Sequence, residues 1–377
     1  MKTIDRYVLG LFVKSLVVSY LSLAGLLIVV DAFGNLDEFL ISGREQGNLL
    51  VVLAGYYGVR MLSFFDSTSA VLVLLGAVFT VAWMRRTREM TALMVAGVPQ
   101  RRVVMPVILG AAVVSLLAAT NRELLLPQLR DRLSLNAQDL ADDAPKPIAP
   151  RYDPVTDILL GGRGVVAKRQ EIVQPAFRLP DTLTNLGRQL AAQSAVYRAG
   201  TETRPAGYLL EGVTEPIDLA KRESVELDGK PVILMPSDTP WLAADQCFVA
   251  SDVDFEQLAS ADAWRRYSST ADLLTYLHKP GPDAGADVRL TVHARFLQPF
   301  LDMTLLLVGL PLVLSRQDRN VFVAAGLCLF VVAGFFAVVT VSHALGMKYL
   351  ISPALAAWCP LVVMVPAASA MSVAFRQ

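Results

Sequence analysis

Six long stretches of this chain are apolar almost throughout: 8–33, 50–84, 103–120, 296–314, 321–346 and 350–374. A bilayer core about 30 Å thick needs roughly 20 apolar residues per helix, so the pattern predicts six transmembrane helices. Between the third and the fourth, residues 121–295 change character. Pro145, Pro147, Pro150, Pro154, Gly161, Gly162 and Gly164 mark turns. The runs 191–199, 207–220 and 230–236 suit short strands. The segment 270–279 reads as a short helix with Leu273, Leu274 and Leu277 on one face. The predicted class is an α+β membrane protein. Residues 1–120 hold helices one to three, 121–295 form an inserted extracytoplasmic β-sandwich, and 296–377 hold helices four to six.

One polar interruption differs from the others. RRTREMTALMVAGVPQRR, residues 85–102, begins and ends in arginine pairs. Thr87 is suited to cap a helix start, and Glu89 lies where the helix dipole favours a carboxylate. Gly97 suits the position after the last turn, and Pro99 prevents continuation. Met90, Leu93, Met94 and Gly97 fall at i, i+3, i+4 and i+7, which makes one stripe on a helix of about 87–98. That helix is too short to cross a bilayer. Its stripe must lie against the membrane surface, the protein's own helix ends or a partner's groove, and two readings fit: an amphipathic connector, or a docking helix whose face fills a partner's groove, with methionines giving an adaptable contact.

Composition agrees with the membrane reading. The chain is 54% hydrophobic with a mean hydropathy of +0.47, above the roughly 45–50% of globular chains. Formal charge is zero, which offers no sign of nucleic acid. Basic residues at short helix ends are asymmetric. Lys2, Arg6, Arg85, Arg86, Arg88, Arg101, Arg102, Arg316, Arg319 and Arg376 fall on one side, and only Arg44 and Lys348 on the other. By the positive-inside rule both termini face the cytoplasm. The first apolar run is too long for a signal-peptide core of about 7–15 residues, and no small-residue cleavage site follows it.

Sites of chemistry are sparse. Three cysteines form neither a disulfide framework nor a metal-spaced set. GGRG at 161–164 lacks the spacing of a phosphate loop and reads as a hairpin turn. No HExxH, GxSxG or paired intramembrane aspartates suggest an enzyme. Lys14, Arg60, Asp66 and Asp302 lie within apolar blocks, where charges usually face a cavity or a partner. Lys14 can snorkel to the interface. Arg60 and Asp66 lie one to two turns apart in the outer half of helix two and are a candidate pair. Arg60 and Arg295 are the candidate contacts for lipid phosphates, with a structural ion pair or interfacial anchor as the alternative for each. His343 reads as interfacial.

Several motifs together resemble the LptF/LptG permeases of lipopolysaccharide export. They are Glu89-x-x-x-Leu93-x-x-x-Gly97, DRYVLGLFVKS at 5–15, Leu74-Leu75-Gly76, SAVYRAGTETRPAGYLLEGV at 194–213, VHARFLQPF at 292–300 and GLPLVLSRQDR at 309–319. The sequence departs from the family pattern in lacking a proline across 64–71 and in carrying Asp31, not basic residues, near the outer end of helix one. The resemblance implies a multi-pass subunit of the bacterial inner membrane with a periplasmic jelly roll. Such a permease pairs with a second of its kind and with a cytoplasmic ABC ATPase dimer, so ATP is used by the partner and no cofactor is bound here. Lipopolysaccharide or a related glycolipid passes to a periplasmic jelly-roll bridge. Glu89 is the expected contact with the ATPase, with Arg85, Arg88, Met90, Leu93 and Gly97 around it. Two rivals stand beside this: a mechanotransmission-type ABC permease, which typically has four spans, and a non-transporting sensor or scaffold with an outer binding domain.

Overall fold

The computed structural model describes all residues except 1–2, 46, 138–144, 149, 154, 167–168, 181–182, 184–186, 202–203, 220–221, 228–229, 279–284, 315–320 and 373–377. Lys2, Arg316, Arg319, Arg376 and Pro154, used in the reading above, lie outside the described residues. In chain order the helices begin with α1 (Thr3–Gly34), α2 (Leu36–Glu45), α3 (Leu49–Arg86), α4 (Glu89–Val95) and α5 (Gln100–Gln128), followed by α6 (Arg130–Ser134). Nine strands come next: β1 (Arg151–Tyr152), β2 (Leu159–Leu160), β3 (Gly162–Val166), β4 (Glu171–Arg178), β5 (Gln189–Arg198), β6 (Gly207–Glu215), β7 (Val225–Leu227), β8 (Lys230–Leu234) and β9 (Cys247–Ala250). Then follow α7 (Phe255–Ala259), α8 (Ala261–Tyr267), α9 (Thr270–His278), α10 (Ala286–Leu314), α11 (Val321–Met347) and α12 (Pro353–Ser372). Two compact units emerge. The first is Met1–Gly34, Gly55–Gln128 and Gly285–Gln377; the second is Asn35–Ala54 and Leu129–Ala284.

The first unit is helical. Its core gathers Val8 and Phe12 of α1, Val73, Leu74 and Ala77 of α3, Met90 of α4, Val103 and Val107 of α5, and Leu301 and Leu305 of α10. Outward positions are equally apolar: Val18, Leu21, Val30, Leu116 and Val362 are each well exposed. A helix that is hydrophobic all round suits a lipid surrounding. Among the described residues five helices are long and apolar enough to cross a membrane: α1, α3, α5, the Leu329–Met347 part of α11 and the Pro353–Ala370 part of α12. The expected fourth span falls on α10, a continuous 29-residue helix that is not among those five. Its first half is polar, with Asp287, Arg289, His293 and Arg295. The unbroken run of α3 through 64–71 follows from the missing proline, since nothing there removes a helix hydrogen bond.

The second unit is built on one antiparallel sheet in the order β1-β2-β4-β5-β6-β9-β8-β7, with β3 also paired to β4. It curls round a main core, with a smaller cluster of Leu242, Phe248 and Ala250 apart from it. Leu160, Ile172, Phe177, Leu190, Ala195, Tyr208, Leu210, Ile233, Cys247 and Val249 come from strands all along that order and share one cluster. A sandwich of two sheets was the expectation, but the hydrogen bonding is continuous. The three expected strand runs correspond to β5, β6 and β8. The GGRG turn is corrected: Gly162 and Gly164 lie within β3. A Cβ on Gly162 would stand 2.7 Å from Ile172 Cγ2, and one on Gly164 2.7 Å from the Lys146 carbonyl oxygen. These glycines serve close backbone approach, a known use of glycine in strands. In α9, Leu273 is buried while Leu274 is exposed, so Leu274 is corrected to the outer face.

Candidate functional site

α4 exists as a separate helix because the chain stops α3 just before it. The Thr87 hydroxyl donates back to the Trp83 and Met84 carbonyls at 3.0 and 3.3 Å. Thr87 therefore closes α3 and does not cap α4, as the sequence had suggested. Arg88 precedes α4 in the left-handed region, at φ 58°, and makes no side-chain cap. At the other end Gly97 is left-handed at φ 80°. Its amide donates to the Met94 carbonyl, and the Val98 amide donates to that of Leu93, both at 3.0 Å. This is the Schellman pattern that the Gly97–Pro99 spacing predicts.

Met90 is 2% exposed, and Leu93, Met94 and Val98 pack beside it on the unit's own core. Of the surfaces the stripe could lie against, Met90 and Leu93 take the protein's own helix ends. A seven-residue helix is unstable alone, so its apolar stripe is used to hold it in place. The accessible side is Thr91, Ala92, Val95 (84% exposed) and Ala96. Glu89 is half-buried at its edge, Arg85 is half-buried at the end of α3, and Arg86, Arg88, Gly97 and Arg101 are exposed around it.

Two polar contacts join this region to the first turns of α1. The Tyr7 hydroxyl donates to Glu89 Oε2 at 3.0 Å. Arg102, at the start of α5, donates to Asp5 Oδ1 and Oδ2 at 3.3 and 3.2 Å. Sequence reasoning marked the Asp5-Arg6-Tyr7 motif but gave Asp5 and Tyr7 no role. The available sign was a polar trio opening an otherwise apolar helix.

About 20 residues away along α3, some 30 Å by helical rise, lies a second polar cluster. Arg122 binds Asp66 through Nη2 at 2.8 Å and Nε at 2.9 Å. Asp66 therefore pairs with Arg122 and not with Arg60, whose guanidinium lies over the Tyr56 ring at 4.1 Å. Arg295 is 9% exposed, with Nη1 3.8 Å from Glu123 Oε1. The two candidate phosphate contacts thus have different neighbours. The local cause is a π turn at Asn121–Leu125 within α5. It adds a residue to the turn, and Asn121, Arg122 and Glu123 reach three partners, the first donating to the Leu62 carbonyl at 2.9 Å. Asp302, 1% exposed, accepts from Ser69 Oγ and Gln298 Nε2, each at 2.9 Å. Lys14 is exposed on α1 and His343 half-buried on α11.

Between α1 and α3 runs a cleft of about 590 Å³, lined by Leu23, Leu27, Val30, Phe64 and Val71, with Asp31 and Thr68 as polar members. Asp31 accepts a hydrogen bond from the Tyr57 hydroxyl at 2.8 Å. In the second unit, burial pushes the Cys247 thiol up to about 12, which leaves it unreactive. Glu256 is pushed up to about 8, by burial first and then by a hydrogen bond with Asp131, against the opposing pull of Arg130, its ion-pair partner. Among the described residues no group of three or more histidine, cysteine, aspartate or glutamate side chains is placed to hold a metal.

A family model described as lipopolysaccharide export system permease LptF/LptG matches residues 6–151 and 235–373. The chain belongs to this family. The matched part of the permease includes Tyr7, all of α4, the π turn and α10. No curated protein matches its sequence. With several apolar helices and this membership, the permease is a multi-pass membrane protein of lipopolysaccharide transport.

Proposed function

We propose that this permease extracts lipopolysaccharide or a related glycolipid from the inner membrane, using ATP hydrolysed by a cytoplasmic ABC ATPase dimer that docks on α4. The observation that carries this reading is α4 itself. It is a separate helix of seven residues, too short to span, glued by one face to the helical core, with Glu89 at the edge of its accessible face. Glu89 is the docking residue, with Arg88 and the end of α3 at Arg85 beside it. Met90, Leu93 and Gly97 fix the helix and its cap. A second permease of the same type completes the cavity, and a periplasmic jelly-roll bridge receives the lipid. No cofactor is assigned to this chain. Five long apolar helices exceed the four of mechanotransmission permeases, and α10 is the sixth span in this reading, so both termini face the cytoplasm.

Lifting a lipid exposes acyl chain to water at ~0.8 kcal/mol per CH₂, so the lipid needs an apolar path. The curled sheet is the periplasmic jelly roll of this reading. Its inner face is filled by its own side chains, Phe177, Leu190 and Tyr208 among them. Lipid passage therefore requires the curl to open. Arg60 stays the phosphate contact of the proposal; Arg295 is reassigned to hold α10 to α5 through Glu123.

The test is Glu89→Lys. The variant is expected to insert and fold normally, to lose co-purification of the ATPase, and to stop export. An unchanged complex with normal export removes the docking assignment.

A further inference from the structure

α1 carries three features in sequence. At its start, Tyr7 is bonded to Glu89 of α4 and Asp5 to Arg102 of α5. One turn further, Phe12 sits in a notch of two glycines. A Cβ on Gly76 would stand 3.1 Å from its ring, and one on Gly110 3.0 Å. Past this bearing the helix is weakly held. Its buried residues are Val8, Phe12, Ser19 and Ala24, out of 32. The outer arm meets α3 through two hydrogen bonds, Tyr20 to the Met61 carbonyl at 3.0 Å and Tyr57 to Asp31 at 2.8 Å, and through the Tyr20 ring, whose centroid lies 6.1 and 6.0 Å from those of Phe64 and Phe65. The apolar cleft between α1 and α3 lies along this arm.

We infer that Tyr7 is the coupling contact that carries displacement of α4 into α1, which turns on Phe12 and changes the width of the α1–α3 cleft. The inference rests on the proposed docking at α4. Tyr7 is a positioning residue: it touches Glu89, not the cargo. Geometry gives the gain. From Tyr7 to Phe12 is ~7 Å of helix and from Phe12 to Val30 ~27 Å, at 1.5 Å per residue. A shift of ~1 Å at α4 then becomes ~3–4 Å at the cleft. The glycines matter because a side chain at either position would wedge the ring and remove the bearing. The outer contacts matter because they gather at two places, the Tyr20 ring against Phe64 and Phe65 and the Tyr57–Asp31 bond, which leaves the apolar cleft between them open to widen.

The experiment uses the assembled complex of this chain with its ATPase and second permease, reconstituted in vesicles containing lipopolysaccharide. Spin labels at Leu27 and Val71 report the cleft width by pulsed dipolar spectroscopy, with and without vanadate trapping of the ATPase. In the parent the spacing is expected to shift by ~3–4 Å on trapping, as the lever ratio requires. Tyr7→Phe removes one hydroxyl. It is expected to keep the ATPase bound and hydrolysing, to lose most of the shift, and to export about fivefold less lipid per ATP, the change one lost hydrogen bond brings. A merely structural Tyr7 would leave the trapping shift intact. Should Tyr7→Phe fail to accumulate, Tyr7→Leu serves instead, read by the same labels: loss of most of the shift supports the lever, and a full shift with full export per ATP overturns it. A parent spacing that trapping leaves unmoved overturns the lever, as does a Tyr7→Phe complex with full shift and full export per ATP. If Glu89→Lys still binds the ATPase and exports, the docking reading and the lever fall together; if Glu89→Lys fails while Tyr7→Phe is normal, only the lever falls.

Discussion

Thr87 and Gly97 bracket the same short helix, and only one was legible. Gly97 has to be left-handed for a Schellman close, and glycine takes that conformation without a Cβ penalty. Thr87 satisfied the rules for a helix start equally well, yet its hydroxyl completes α3, because the left-handed Arg88 intervenes. Residue type gave the chemistry, and the backbone decided which neighbour received it. The charged residues repeat the lesson. Arg60 and Asp66 share a helix but stand six residues apart, on different faces, and Arg122, 56 residues from Asp66, supplies the bidentate contact. Glu256 was invisible in the sequence, since its burial and its contact with Asp131 depend on distant folding. Its folded value of about 8 lies above the ordinary 4.5, so its contribution to stability is full below about 4.5 and is lost as pH rises to about 8. The thermal midpoint of the second unit is expected to fall over that window, and Glu256→Gln to flatten the dependence, as read by melting curves from pH 5 to 8.5. A parent curve flat across the range would remove Glu256 from the account.

Among the elements, three of the strands were legible as short runs between turn residues, and the sheet order was not. β4 buries Ile172 and then Pro175 and Phe177, a phase shifted by one residue at the left-handed Gln174. Nothing local says that β9 inserts between β6 and β8. Glycine is the trace of that insertion. Gly207 pairs with Ala250, and a Cβ there would run into the Val249 carbonyl oxygen and the Ala250 Cα. Backbone atoms cannot swing aside as a side-chain end can. Gly207→Ala is therefore expected to destabilise at or beyond the upper end of the roughly 1–3 kcal/mol of overpacking, and to expose Cys247 to thiol reagents. Parent-like melting with Cys247 still protected would contradict this packing. α4 was found for the right reason, its apolar stripe, but the stripe's direction was not legible. Period alone cannot tell a partner's groove from the chain's own core.

For the molecule as a whole, α10 decides the topology. Two of its charged residues have partners within the helical unit: Asp302 accepts hydrogen bonds from Ser69 and Gln298, and Arg295 lies beside Glu123. Such satisfaction makes a charged helix compatible with lipid. With α10 counted, fluorescent-protein fusions at both termini are expected to glow, as that reporter folds on the cytoplasmic side; one dark terminus would mean an odd number of crossings. Length variation should distribute unevenly along such a chain. The π turn at Asn121–Leu125 is one residue more than a regular helix needs, and three successive side chains depend on that surplus. Deleting a single residue there would restore ordinary winding and rotate everything from Leu126 onward by about 100°, the angle one residue occupies in a helix. Relatives of this permease that shorten or lengthen this turn by one residue should therefore also have changed the partners at Leu62, Asp66 and Arg295.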